Sequence, residues 1–250
     1  MLALTAEVNI CFTPFFDRIF VLNLNRRPDR WLECIEELKA HGIAPGSVER
    51  VEAYDNPDNG HAGCTRSHRA LLRRVAASDW ERVLVLEDDF AVITLDRIKA
   101  GGWTPDGDVW KTHMSIPCGA NLNERFAYLS KHLPGHWDVV YLGASYGEPP
   151  IERYNKHVIR CGFMQTTGSY GITRDFAKVW TRKVDASMPS DDLSHHPGPI
   201  DNVFGSMSHD HRYYVFQPRL MYQRESKSDL DGNTNSRLGQ MTDTAHEILV

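Results

Sequence analysis

Apolar positions along the first third of the chain alternate between short continuous runs and helical stripes. Arg18 to Leu24 carries Ile19-Phe20-Val21-Leu22, a run that predicts a strand buried on both faces. Pro28 to His41 sets Trp31, Ile35 and Leu38 on one helical face, with Pro28 in the first turn and Gly42 as the stop. Val48 to Ala53 predicts a second strand and Arg82 to Leu86 a third. Between them Thr65 to Ala77 predicts a helix with Leu71, Leu72 and Val75 turned inward, capped by Thr65 or Ser67. This order of elements implies an α/β fold, a Rossmann-like, mostly parallel sheet flanked by helices. Ligands of such sheets bind beyond the carboxyl ends of the strands. Asn23 to Arg30, Tyr54-Asp55 and Glu87-Asp88-Asp89 should therefore share one crevice.

The second half is less regular. Gly101 to Ala120, rich in Gly, Pro and Asp, reads as an insertion, and Asn121 to His132 as a helix. Strands are expected at Trp137 to Leu142, at Thr167 to Ile172 and at Tyr213 to Phe216, and helices at Arg174 to Arg182 and Pro199 to Met207. The stretch from Arg224 onward is polar. No repeat or linker divides the 250 residues, so a single domain is expected, with residues 1–16 as an N-terminal extension.

Composition narrows the class. A net charge of −5 argues against nucleic acid as a partner. Five scattered cysteines without a CxxC pair read as reduced thiols of a cytoplasm-like compartment, with no zinc-type cysteine spacing. Residues 1–16 lack the basic region and cleavage site of a signal peptide, and no run reaches the roughly 18 apolar residues of a membrane span. Peripheral contact with a membrane is compatible with this picture.

Three consecutive acids at the tip of a buried strand repel one another, and a divalent cation would cancel that cost. If the backbone stays extended there, Glu87 and Asp89 share one face and Asp88 takes the other. Such a pair suits Mn²⁺ or Mg²⁺, hard cations that keep positions open for phosphate. Asn23, Asn25, Arg27 and Arg30 lie between a strand and a helix, a place for phosphate and ribose contacts, although the glycines of a P-loop are absent. Arg66 and His68 can reach the crevice, His68 more plausibly as a donor contact than as a catalyst. Asp201, at a helix start, is either a base that deprotonates a hydroxyl or a carboxylate favouring the helix dipole. His195-His196 and His209-Asp210-His211 lack the i, i+4 spacing of a helical zinc pair.

Taken in order, several segments resemble glycosyltransferase family 25, which includes lipopolysaccharide, lipooligosaccharide and procollagen galactosyltransferases. They are Ile19 to Leu24 with Arg27, Asp29 and Arg30; Val51 to Asp55; Gly63-Cys64 with Ser67-His68; Val85 to Phe90; Trp137 to Gly143; Gly168 to Thr173; Pro199-Ile200-Asp201; and Gln223 with Ser228-Asp229. The chain departs from the family at Asp55-Asn56, where Asp-Gly is usual. The resemblance implies a GT-A-like fold, a UDP-galactose or UDP-glucose donor, Mn²⁺, and inversion at the anomeric carbon. It implies an acceptor hydroxyl on a glycan, lipopolysaccharide or protein. Glu87 and Asp89 would then hold the metal with Gln223 and Asp229. Asp201 would be the base, and Asn23, Asn25, Arg27, Arg30, Asp55, Ser67, His68 and Asp88 would line the donor nucleotide. A nucleotidyltransferase or sugar-phosphate transferase would use the same carboxylates, and a non-catalytic sugar-nucleotide-binding domain is a further alternative.

Overall fold

The computed structural model describes residues 12, 15–101, 116, 122–187, 199–224, 226–227 and 234–235. The first half runs β1 (Arg18–Asn23), α1 (Pro28–Ala40), β2 (Glu49–Glu52), α2 (Gly60–Ala77), β3 (Arg82–Glu87), β4 (Phe90–Val92) and α3 (Leu95–Ala100). The second half runs α4 (Leu122–Ser130), β5 (Val139–Tyr146), β6 (Glu152–Asn155), β7 (Val158–Arg160), β8 (Met164–Thr173), α5 (Arg174–Ser187), α6 (Ile200–Gly205), β9 (Tyr213–Phe216) and β10 (Met221–Gln223). Eight strands form one sheet in the order β2-β1-β3-β8-β5-β9-β7-β6. The pairings make β1, β2, β3, β5, β9 and β6 run one way and β8 and β7 the other. The result is the flanked α/β sheet that the sequence predicts.

Strict alternation along the central strands divides the core between the two faces of this sheet. Val83 and Val85 of β3 pack with Tyr170, Ile172, Leu72, Val75 and Trp180 on the face covered by α2 and α5. Leu84 and Leu86 pack with Cys34, Leu38, Val140 and Phe126 on the face covered by α1 and α4. Helices on opposite faces on either side of β1 leave a crevice at the carboxyl ends of β1, β2 and β3, as expected where a sheet winds both ways.

Several boundaries differ from those read in the sequence. Helix α2 begins five residues early, with Asn59 Oδ1 accepting from Ala62 N at 3.1 Å, so neither Thr65 nor Ser67 is its cap. Gly63, inside this helix, is needed for close packing, because a Cβ there would sit 2.7 Å from the Tyr54 carbonyl oxygen. Strand β5 does not stop at Gly143 but runs to Tyr146 through register shifts against β8. The small strand pair β10–β4 and the hairpin β6–β7 were not foreseen. The insertion at 101–120 lies almost wholly outside the described residues, as does Asp229.

Candidate active site

A cavity of about 230 Å³ opens at the carboxyl ends of β1, β2 and β3. All three acids of the triplet line it, together with Arg26, Arg30, Tyr54, Asp55, His61, Cys64, Ser67, His68, Thr166, Thr167, Asp201, Gln223 and Arg224. The N-terminal end of β8 reaches this edge because β8 runs antiparallel to β3 in a register that sets Ser169 opposite Leu86. Gln223 arrives through β10, which pairs with β4 so that Gln223 lies opposite Phe90, the residue after the triplet.

The triplet is not extended. Strand β3 ends at Glu87, and Asp88 and Asp89 form a turn before β4. The expected sharing of one face by Glu87 and Asp89 is therefore replaced by another partition. Arg30 clasps both aspartates, with Nη1 at 3.1 Å from Asp88 Oδ1 and Nη2 at 2.8 Å from Asp89 Oδ2. Asn23 Nδ2 donates to Asp88 Oδ2 at 2.6 Å, and Arg224 Nη2 donates to the Asp88 carbonyl at 2.9 Å. Asp89 Oδ1 is buried without a hydrogen-bond partner among the described residues. Burial and the neighbouring Glu87 charge push the Asp89 carboxyl up to about 6 against the pull of Arg30. Burial likewise raises the Asp88 carboxyl, with Arg30 and Asn23 opposing it.

Glu87 turns toward α2 and β8. His68 Nε2 lies 3.2 Å from Glu87 Oε1, Thr167 Oγ1 donates to the same oxygen at 2.8 Å, and Gln223 Nε2 stands 3.5 Å from Oε2. The far ring nitrogen of His68, Nδ1, lies 2.8 Å from the Tyr170 hydroxyl. Burial alone would raise the Glu87 carboxyl, but the His68 hydrogen bond, with help from Thr167 and Arg30, holds it below its ordinary value.

Asp201 occupies the first turn of α6, where Pro199 precedes the helix. It belongs to the same cavity as the triplet. Its Oδ2 accepts from Thr166 N at 3.3 Å and its Oδ1 from Asn202 N at 3.0 Å. Thr166 holds φ at +75°, the left-handed region that a β-branched residue rarely adopts. Such strain persists where the surroundings over-determine it, and it concentrates at functional sites.

The loop residues expected to meet a donor separate into two groups. Asn23 is 1% exposed, and its amide is fully occupied: Nδ2 also donates to the Arg27 carbonyl, while Oδ1 accepts two bonds from Arg50. Asn25 is exposed, Arg27 pairs with Asp29 at 2.8 Å, and neither belongs to the cavity wall. Ser67 Oγ donates to the Gly63 carbonyl and accepts from Tyr54 N, which ties α2 to the loop after β2. Asp55 does face the cavity, in a half-exposed pair with Arg26 at 2.7 Å. Arg26 and Tyr54 line the cavity from the strand ends that the sequence places at the crevice, whereas Thr166, Thr167 and Arg224 were passed over as site residues. Arg66 stacks its guanidinium 4.2 Å from the Tyr54 ring centre. Among the described residues no helix is long and apolar enough to cross a membrane.

No family model and no curated protein matches the chain. Among solved structures it is similar to a glycosyltransferase involved in the glycosylation of the major capsid of PBCV-1, at 15% identity over 80% of this chain and 81% of that one, TM-score 0.44. It is similar to UDP-glucose pyrophosphorylase in complex with UDP-glucose, at 11% identity over 82% and 75%, TM-score 0.39. A third is mannose-1-phosphate geranyltransferase from Thermus thermophilus, at 12% identity over 81% and 74%, TM-score 0.37. Likenesses this distant assign no activity.

Proposed function

We propose that the chain is a glycosyltransferase that moves a hexose, galactose or glucose, from a UDP-sugar to an acceptor hydroxyl with inversion. The observation that carries this reading is the convergence of Asp201 with Glu87, Asp88 and Asp89 on one cavity at the strand ends. The family 25 resemblance of the segments that build this cavity supports it.

The residues present fit a hard divalent cation. Among the described residues Asp89 Oδ1 is buried and lacks a hydrogen-bond partner and Glu87 Oε2 has only the long contact to Gln223, and the donors are oxygens. Glu87, Asp89 and Gln223 would hold Mn²⁺ or Mg²⁺, and the bound ion would neutralise charge on the departing diphosphate. Arg26, Tyr54 and Asp55 form the wall suited to the nucleoside. Asp201 takes the proton of the acceptor hydroxyl as that oxygen attacks the anomeric carbon, on the side opposite the departing UDP. Backbone N–H groups on both Asp201 oxygens fix the carboxylate for that step.

A screen of UDP-sugars scored by UDP release, with and without Mn²⁺, tests the proposal. Metal-dependent release of UDP supports it. Release of pyrophosphate from a nucleoside triphosphate and a sugar phosphate would mark nucleotidyl transfer instead. Binding without any turnover, hydrolysis included, would mark a binding domain.

A further inference from the structure

Helix α2 carries Cys64 and His68 one turn apart, at i and i+4, and therefore on the same face. That face meets the tip of β3. The Cys64 sulfur, a His68 ring nitrogen and a Glu87 carboxylate oxygen all lie within 4.8 Å of one another, and all three residues line the cavity. We propose that Cys64 Sγ, His68 Nε2 and Glu87 Oε1 form a binding site for a zinc-type divalent cation, with its open coordination position toward the cavity. This inference stands on the cluster alone and does not depend on glycosyl transfer.

The geometry suits such an ion. His68 Nε2 and Glu87 Oε1 are 3.2 Å apart. Two ligands at about 2.0 Å from a tetrahedral zinc are separated by about 3.3 Å, so this edge of the polyhedron is already formed. The sulfur lies within 4.8 Å of both, so closing by at most on the order of 1 Å brings it to its own ligand distance. The opposite ring nitrogen of His68 is fixed by the Tyr170 hydroxyl at 2.8 Å, the outer-shell bond that orients most metal-binding histidines. Tyr170 is fully buried on β8, so the imidazole plane is set before any ion arrives.

Without an ion the pair is satisfied by the Tyr170 O–H donating to Nδ1 and Nε2–H donating to Glu87. That arrangement accounts for His68, Tyr170 and Glu87 but gives the sulfur no task. Binding of a cation to the sulfur releases the thiol proton to solvent. The Nε2 proton is carried over to Nδ1, whose N–H now donates to the Tyr170 oxygen. The two oxygens of Glu87 thus serve different donor sets. Oε1 belongs with nitrogen and sulfur, and Oε2 faces Gln223 on the all-oxygen side. Thiolate and imidazole favour zinc-like ions over Mn²⁺ or Mg²⁺.

Co²⁺ is the probe, because zinc itself has no absorption to follow. Titration of the whole protein with Co²⁺ under reducing conditions should give a near-ultraviolet thiolate-to-cobalt charge-transfer band that saturates at one equivalent and is displaced by Zn²⁺. The band should vanish in both Cys64→Ser and Cys64→Ala, each checked for native circular dichroism. Tyr170→Phe should weaken Co²⁺ binding by roughly 10- to 100-fold. Asp89→Asn should retain the band, which separates this site from the all-oxygen donors. Absence of the band in the unaltered protein overturns the proposal. So does a band that survives the loss of the Cys64 sulfur, which would belong to another cysteine.

Discussion

Thr166 presents its backbone N–H to Asp201 Oδ2 at 3.3 Å from a left-handed backbone conformation, φ +75°. Thr166 lies in β8 next to Thr167, the hydroxyl donor to Glu87. One short segment of β8 thus holds the carboxylates on both sides of the cavity. A donor sugar bound between them would meet two acidic groups whose positions are fixed by adjacent residues.

Asp201→Asn should bind UDP-sugar as the unaltered protein does and lose turnover by roughly 10²-fold or more, the scale of a lost general base. Separate measurement of donor affinity and of UDP release checks this. A loss confined to affinity would make Asp201 a donor contact.

Thr166→Gly keeps the N–H and removes the Cβ from a position that penalises it. The variant should gain on the order of 1 kcal/mol of stability, visible as a rise of a few degrees in Tm, while turnover falls because the segment loosens. An unchanged or lowered Tm would refute strain at this residue.

Asp89→Asn should abolish Mn²⁺-dependent UDP binding, yet make the metal-free protein more resistant to heat at pH 8. Burial and Glu87 raise the Asp89 carboxyl to about 6 in the folded state, against an ordinary value of 3.8. The folded state therefore binds this proton more tightly than the unfolded chain does, and the charged form penalises folding above about pH 6. The gain over the unaltered protein should shrink as pH falls through 6 and be gone below 3.8. Thermal scans across that range, without metal, decide it.

Glu37→Gln acts with the opposite sign. Burial would raise this carboxyl, but hydrogen bonds from Arg97, His41 and Val92 N hold it at about 2, below its ordinary 4.5. Stability from this group is full above pH 4.5 and is lost as pH falls toward 2. Urea unfolding should show the variant weaker by on the order of 2–3 kcal/mol at pH 7. The gap should narrow steadily below pH 4.5, and equal loss at every pH would show that charge is not the cause.

Strands β1 and β3 were legible because each is a short apolar run closed by polar residues, and burial on both faces leaves few other ways to place such a run, whereas β2 alternates half-buried with exposed positions. The acidic triplet was legible for the same reason, since its members are consecutive in the chain. Its partition was not. A turn after Glu87 replaces the extended backbone, and the buried Arg30 draws the two aspartates together. The Cys64–His68 pair escaped notice because a helix started at Thr65 leaves Cys64 outside it and hides the shared face. Gln223 reaches the triplet by a pairing remote in sequence, and its neighbour Arg224 contacts Glu33, Asp88 and Asp89. No local pattern specifies contacts of that range. The positive φ of Thr166 has no signature in a threonine.

The pairing of β10 with β4 has a consequence for biosynthesis. Domains made on the ribosome begin to fold from their N-terminal side. The acids at the tip of β3 emerge first, and Gln223, which packs against them, emerges 136 residues after Glu87. A nascent or prematurely terminated chain that stops before residue 221 has all three acids and Asp201 but lacks the strand that walls them in. Such a chain should be inert toward its substrate, so that competence arrives only once the residues of β10 and Arg224 have been made.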